Sequence, residues 1–231
     1  MPIIQDKEFG KITIRRSSRA TQVRIRVAPD GTLRASMPLH APTLLLKHLL
    51  RTSRNQLRTI LAQAKPEYVY ENGMQIGKSH KLIIHNSNNQ EFSVARHGLQ
   101  IIIKLPLDIQ LNDPHVARQI RDTVIKSLRV EAKSYLPQRL SFLAQKYGFN
   151  YERSRFSHAS GRWGSCSSNG TISLNIALMK LPFELIDYVI IHELSHTKQM
   201  NHSSTFWELV AIADPNHKSH RRALKLQNPS I

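Results

Sequence analysis

The chain has 231 residues, 40% of them hydrophobic and 21% charged, with 33 Lys/Arg against 16 Asp/Glu and a formal net charge of +17. That is the composition of a globular protein long enough to bury a core as one large or two small domains. The lone Cys166 excludes an internal disulfide, no apolar run reaches membrane-spanning length and the start holds no secretory signal, so the expectation is a cytoplasmic protein with no membrane partner.

Residues 11–38 alternate as strands do, through Ile12 and Ile14, then Val23, Ile25 and Val27, with Pro29-Asp30-Gly31 as a turn. Residues 42–64 carry Leu45, Leu46, Leu49, Leu50, Leu57, Ile60 and Leu61 at spacings of three and four, which predicts a helix with Pro42 at its start. Two further strand-like runs, 81–85 and 99–105, flank a polar turn at residues 86–89. Residues 1–110 thus read as a β-rich region with one helix. The character changes near Asn112-Asp113-Pro114. Val116, Ile120, Val124 and Leu128 then step by four along a long helix, which Pro137 is expected to kink or restart before Gly148 stops it. Residues 162–178 read as a hairpin around Ser167-Ser168-Asn169-Gly170. Pro182 opens the next helix, Ser203 or Ser204 caps another, and a short helix spans about 218–226. The fold class predicted is α+β, with the second region running from 111 to 231.

The segment His192-Glu193-Leu194-Ser195-His196 carries the pattern H-E-x-x-H. Helical residues four apart are separated by about 40° around the axis and about 6 Å along it, so both imidazoles share a face and can reach one ion. Neutral imidazole is a preferred ligand of Zn²⁺, and hydrolytic zinc takes three protein ligands with one position open to water. Glu193 projects beside that open position, where a carboxylate can take the proton of an activated water. His202 is the third-ligand candidate, provided the helix ends near Met200-Asn201 and the chain turns back. A continuing helix would carry it about 9 Å away on another face.

Arg162-Trp163-Gly164-Ser165-Cys166, Leu174-Asn175, Asp187-Tyr188-Val189, the H-E-x-x-H segment, Asn201-His202-Ser203 and Phe206-Trp207 stand in an order that resembles the YgjP-like metallopeptidase family. The close resemblance covers about residues 150–226. It implies a zincin-like, helix-and-hairpin catalytic core in the second region, zinc held by His192, His196 and His202, and Glu193 as general base and acid. The chain is also similar to minimal proteases acting on DNA–protein crosslinks, which share the spacing of the three histidines. The spacing also matches metzincins, but Gln199 stands where those have glycine. By the same resemblance, residues 171–177 are expected to form an edge strand that pairs with a peptide substrate.

Asn175 and Arg162 are candidate substrate-binding residues, because amide and guanidinium donors suit a developing oxyanion. Trp163 and Trp207 read as core anchors, Phe206 as packing behind His202, Cys166 as a small buried strand residue, and His158, His217 and His220 as surface histidines. Asp187 is left open between a helix-surface acid and a partner of the metal ligands. The leading expectation is a zinc peptidase acting on a peptide or protein. The positive charge is spread over the chain, with 17 Lys/Arg against 7 Asp/Glu in residues 1–110 and 16 against 9 thereafter. It makes nucleic acid or nucleotides candidate partners. It also motivates two alternatives, a metal-dependent phosphohydrolase and a nucleic-acid-binding module with a structural metal. The second fits poorly, because structural zinc closes all four positions.

Overall fold

The computed structural model describes residues 2–27, 32–63, 70–86 and 91–231. The expected turn at Pro29-Asp30-Gly31 and that at residues 86–89, save Asn86, lie outside the described residues. The fold is α+β, as expected. Two compact units divide at residues 69 and 70, so the change of character near Asn112 falls inside the second unit. Among the described residues no helix is long and apolar enough to cross a membrane.

The first unit is a four-stranded sheet with two helices. Strands β1 (Ile3–Asp6), β2 (Gly10–Ser17), β3 (Arg24–Val27) and β4 (Leu33–Pro38) lie in the order β1-β2-β4-β3, with β2 and β4 parallel. Period-two alternation sends Ile12, Ile14, Leu33, Ala35 and Met37 to one face, where they meet Leu46, Leu50 and Leu57 of the helices. The single helix expected over 42–64 is two helices, α1 (Thr43–Thr52) and α2 (Arg54–Gln63). The break falls at Ser53. The Thr52 hydroxyl donates to the carbonyls of His48 and Leu49, and Ser53 leaves the helical region at φ −100°, ψ 13°.

The second unit holds two sheets and the long helix. Strands β5 (Gln75–Ile76), β6 (His80–Asn86), β7 (Ser93–His97) and β8 (Gln100–Leu105) form a sheet in the order β5-β6-β8-β7. Helix α3 (Pro114–Tyr147) starts where Asp113 accepts hydrogen bonds from the amides of His115 and Val116. It ends where Gly148 turns left-handed at φ 65° and Phe149 N–H donates to the Ala144 carbonyl. The restart expected as one outcome at Pro137 does not occur, and α3 runs through it as one element. Leu128, Ala132 and Leu136 before the proline and Leu140, Leu143 and Ala144 after it form one buried stripe, and this packing outweighs the lost hydrogen bond.

Behind α3 come β9 (Arg153–Ser157), β10 (Gly164–Cys166) and β11 (Thr171–Asn175), in the order β10-β11-β9. The hairpin of β10 and β11 is present, turning at Gly170 with φ 73°. The strand expected to continue to 177 ends at Asn175, whose side chain caps the buried 3-10 turn Ile176–Lys180. Helix α4 (Phe183–Ser195) follows, buried on nearly all sides, and Asp187 ties it to α3 through a two-bond pair with Arg139. That settles the open role of Asp187 as an interhelix tie. Helices α5 (Ser204–Ala213) and α6 (His217–Lys225) close the unit.

Candidate metal centre

Helix α4 delivers two of the three histidines, and its ending delivers the third. It stops at Ser195, with His196 as the capping residue. Thr197 N–H then bonds to the Leu194 carbonyl, and the amides of Lys198 and Gln199 bond to that of Ser195, so the chain tightens and reverses. The Gln199 side chain clips the reversal by donating to Asn201 Oδ1 at 2.7 Å and Ser203 Oγ at 3.1 Å. Ser203 then accepts from Phe206 N–H and starts α5. His202 is carried back over α4 in this way. One ring nitrogen from each of His192, His196 and His202 lies within 4.8 Å of the others, and the Nε2 atoms of His192 and His202 are 3.2 Å apart.

The chemistry of this donor set fits a divalent cation of the zinc type. His196 Nδ1 faces the Gln199 carbonyl at 3.1 Å, which leaves its Nε2 for a ligand. Burial pushes the His192 imidazole down to about 3, helped by His196, His202 and Arg221. Its ring is therefore neutral at physiological pH, with a lone pair to give. His192 Nδ1 is buried and has no hydrogen-bond partner among the described residues, so packing orients this ring. Phe206, expected only behind His202, is fully buried and touches all three imidazoles, with centroids at 5.0, 4.5 and 4.8 Å. Trp207 stacks on His202 and carries the Arg221 guanidinium 4.5 Å above its ring.

Glu193 is 6% exposed and points at β10. Trp163 and Ser167 bond inward to β11, so the alternate backbone groups of Gly164 and Cys166 face the open edge. The Cys166 amide donates to the Glu193 carboxylate there, and the exposed Arg162 places a positive charge near it. A Cβ on Gly164 would stand 2.6 Å from Glu193 Oε1 and 2.7 Å from its Cγ, so only glycine lets strand and carboxylate lie together. Gly164→Ala should leave metal stoichiometry intact and lower turnover by about 100-fold, the order of loss that a displacement of about 1 Å brings. Unchanged turnover would mean that the strand absorbs the methyl group.

Burial pushes the Glu193 carboxyl up to about 7, outweighing Arg162 and the Cys166 amide. The folded chain thus holds this proton more tightly than the unfolded chain, whose ordinary value is 4.5. The resulting stability is complete below that value and lost as pH rises through about 7. His192 acts oppositely, its contribution being lost as pH falls below 6.5, but it is common to wild type and a Glu193→Gln variant. Comparing the two metal-free proteins by denaturant unfolding, the variant should gain on wild type by about 2–3 kcal/mol between about pH 5 and about pH 8. A constant gap would contradict the burial of this carboxyl.

The other expected residues are placed less uniformly. Asn175 is 1% exposed. Its Nδ2 donates to the carbonyls of Ala159, Arg162 and Pro229 at 2.6, 2.9 and 3.3 Å, and its Oδ1 accepts from Ala177 N–H. The amide has nothing left for a substrate; it holds the loop that carries Arg162. The strand expected at the substrate edge, β11, lies between β10 and β9, because β9 pairs with it in parallel on its far side. The edge strands are β10 and β9, and β10 is the one beside Glu193. His217 is 8% exposed and bonds to the Asp214 carbonyl, and His220 bonds to the Asp214 carboxylate at 2.8 Å, so neither is the free surface residue expected. Burial also lowers the affinity of His158 for its proton, aided by Arg121 and Arg129. Cys166 is half-buried, in β10 as expected.

The family profile described as YgjP-like, metallopeptidase domain, matches residues 21–227. The chain belongs to the YgjP-like metallopeptidase family. Among solved structures, the metallopeptidase zymogen of Pyrococcus abyssi abylysin is similar at 29% identity over 41% of this chain and 98% of that one, with a TM-score of 0.37. No curated protein matches the chain. The family implies a metal, and the three convergent histidines of α4 and its reversal are where this member offers a site for it.

Proposed function

We propose that the protein is a zinc-dependent peptidase in which His192, His196 and His202 hold the cation and Glu193 moves the protons. The observation that carries this reading is the convergence of three imidazole nitrogens within 4.8 Å. A zinc ion there supplies Lewis acidity to a water and to the scissile carbonyl. Glu193, with an affinity for protons near neutrality, takes a proton from that water and later returns it to the leaving amine. Its side chain is kept in place by the Cys166 amide and by the absence of a side chain at Gly164. Arg162, held through its own carbonyl by Asn175, presents a cation where negative charge develops on the substrate oxygen. The open edge of β10 offers backbone groups beside Glu193, so an extended peptide would pair with that strand.

The test is to incubate zinc-loaded protein separately with an unstructured polypeptide and with nucleoside triphosphates. Cleavage of the polypeptide, abolished by a chelator and restored by zinc, is the expected result. Phosphate or pyrophosphate release without any peptide cleavage would transfer the site to phosphoanhydride chemistry.

A further inference from the structure

The metal centre belongs to the second unit, and the first unit carries a charge pattern that peptide hydrolysis does not use. Its described residues, 2–27 and 32–63, contain 12 Lys/Arg against 2 Asp/Glu. Both carboxylates are engaged: Asp6 pairs with Arg54, and Glu8 with Arg54 and Arg58 of α2. One sheet face is filled by the apolar core and the helices. On the other face the alternation brings out Lys11 and Arg15 of β2, Arg24 and Arg26 of β3, and Arg34 of β4, all exposed.

The register turns these residues into a lattice. Arg26 stands directly opposite Arg34, and Thr13 lies opposite Arg34 on the other side. Arg24 and Arg15 flank Ser36 from its two sides. Neighbouring strands are about 4.8 Å apart and same-face residues about 6.6 Å apart along a strand, so the guanidinium groups share one small patch. Arginine is the cation whose fork matches phosphate oxygens. No aromatic side chain stands among these outward positions, so the face offers no platform for stacked bases.

We propose that the open face of the first unit's sheet binds nucleic acid through its phosphodiester backbone, without reading sequence. The assignment stands independently of the metal centre.

The experiment measures binding of the full chain to a short mixed-sequence DNA duplex by fluorescence anisotropy, from about 50 to about 200 mM salt. Wild type should show a linear fall of log affinity with log salt. R15Q/R24Q/R26Q should bind at least about tenfold more weakly and lower the slope by about 2.7, or about 0.9 for each phosphate that is no longer neutralised. Neutralising three exposed cations of α6 instead, in K218Q/R222Q/K225Q, should leave the affinity near that of wild type. The thermal midpoint of R15Q/R24Q/R26Q separates binding from folding: these side chains are exposed, so the midpoint should stay near that of wild type while affinity falls. Single-stranded DNA of equal length should bind more weakly than the duplex. The proposal is overturned if the sheet variant binds as wild type does, if the α6 variant loses as much, if salt has no effect, or if the single strand binds more tightly. Binding to anionic lipid vesicles with no affinity for DNA would likewise overturn it.

Discussion

Glu193→Gln should retain one zinc per chain and hydrolyse peptide about 10²–10⁴-fold more slowly, the range typical for removal of a positioned general base. The substitution preserves shape, and an amide oxygen can still accept the Cys166 hydrogen bond. What it removes is the proton acceptor. None of the three imidazole nitrogens is donated by this residue, so metal content measured on the purified variant should match wild type. The buried position makes the distinction sharp. Few waters can substitute for a side chain that is 6% exposed and backed by β10. A fully active variant would remove Glu193 from the proton-transfer role while leaving the metal reading untouched.

His202→Ala should have the opposite signature, with metal lost and the fold kept. The residue is exposed, so its removal from the metal-free protein should change stability by no more than about 0.5 kcal/mol. Loss of an outer hydrogen-bonding partner costs about 10–100-fold in metal affinity, and loss of a direct ligand should exceed that. Zinc stabilises a folded chain by RT ln(1 + [L]/Kd), so a hundredfold weaker site forfeits about 2.7 kcal/mol of that protection. Calorimetry with and without zinc would therefore show a large rise in melting temperature for wild type and a much smaller one for the variant. Equal zinc protection in both proteins would exclude His202 from the ligand set.

The contrast between these residues and their neighbours shows what a sequence exposes. His192 and His196 are legible because four-residue spacing and helical pitch are local facts. His202 depends on a helix ending, and the ending is also local: a tightened turn after Ser195, the Gln199 clip and the Ser203 cap all lie within ten residues. The place of β11 is hidden for the complementary reason. Its parallel partner β9 is 18 residues upstream, and nothing in the alternation of 171–175 says that both edges are taken. Gly164 stands in a recognisable motif, yet its function as the space for a carboxylate requires α4 to lie against β10. Asn175 fails as a cleft residue because its partners come from three separate segments, one of them at Pro229. Pro137 shows packing overriding a local rule, since the apolar stripe on both sides holds α3 in one piece.

Anomalous diffraction at the zinc edge from crystals of zinc-loaded wild-type protein tests the central claim most directly. The account predicts one strong peak at about 2.0–2.1 Å from a ring nitrogen of each of His192, His196 and His202, with the Glu193 carboxylate beside it and not bound to it. A peak elsewhere in the molecule, or a cation ligated by only two of these histidines and by Glu193, would contradict it.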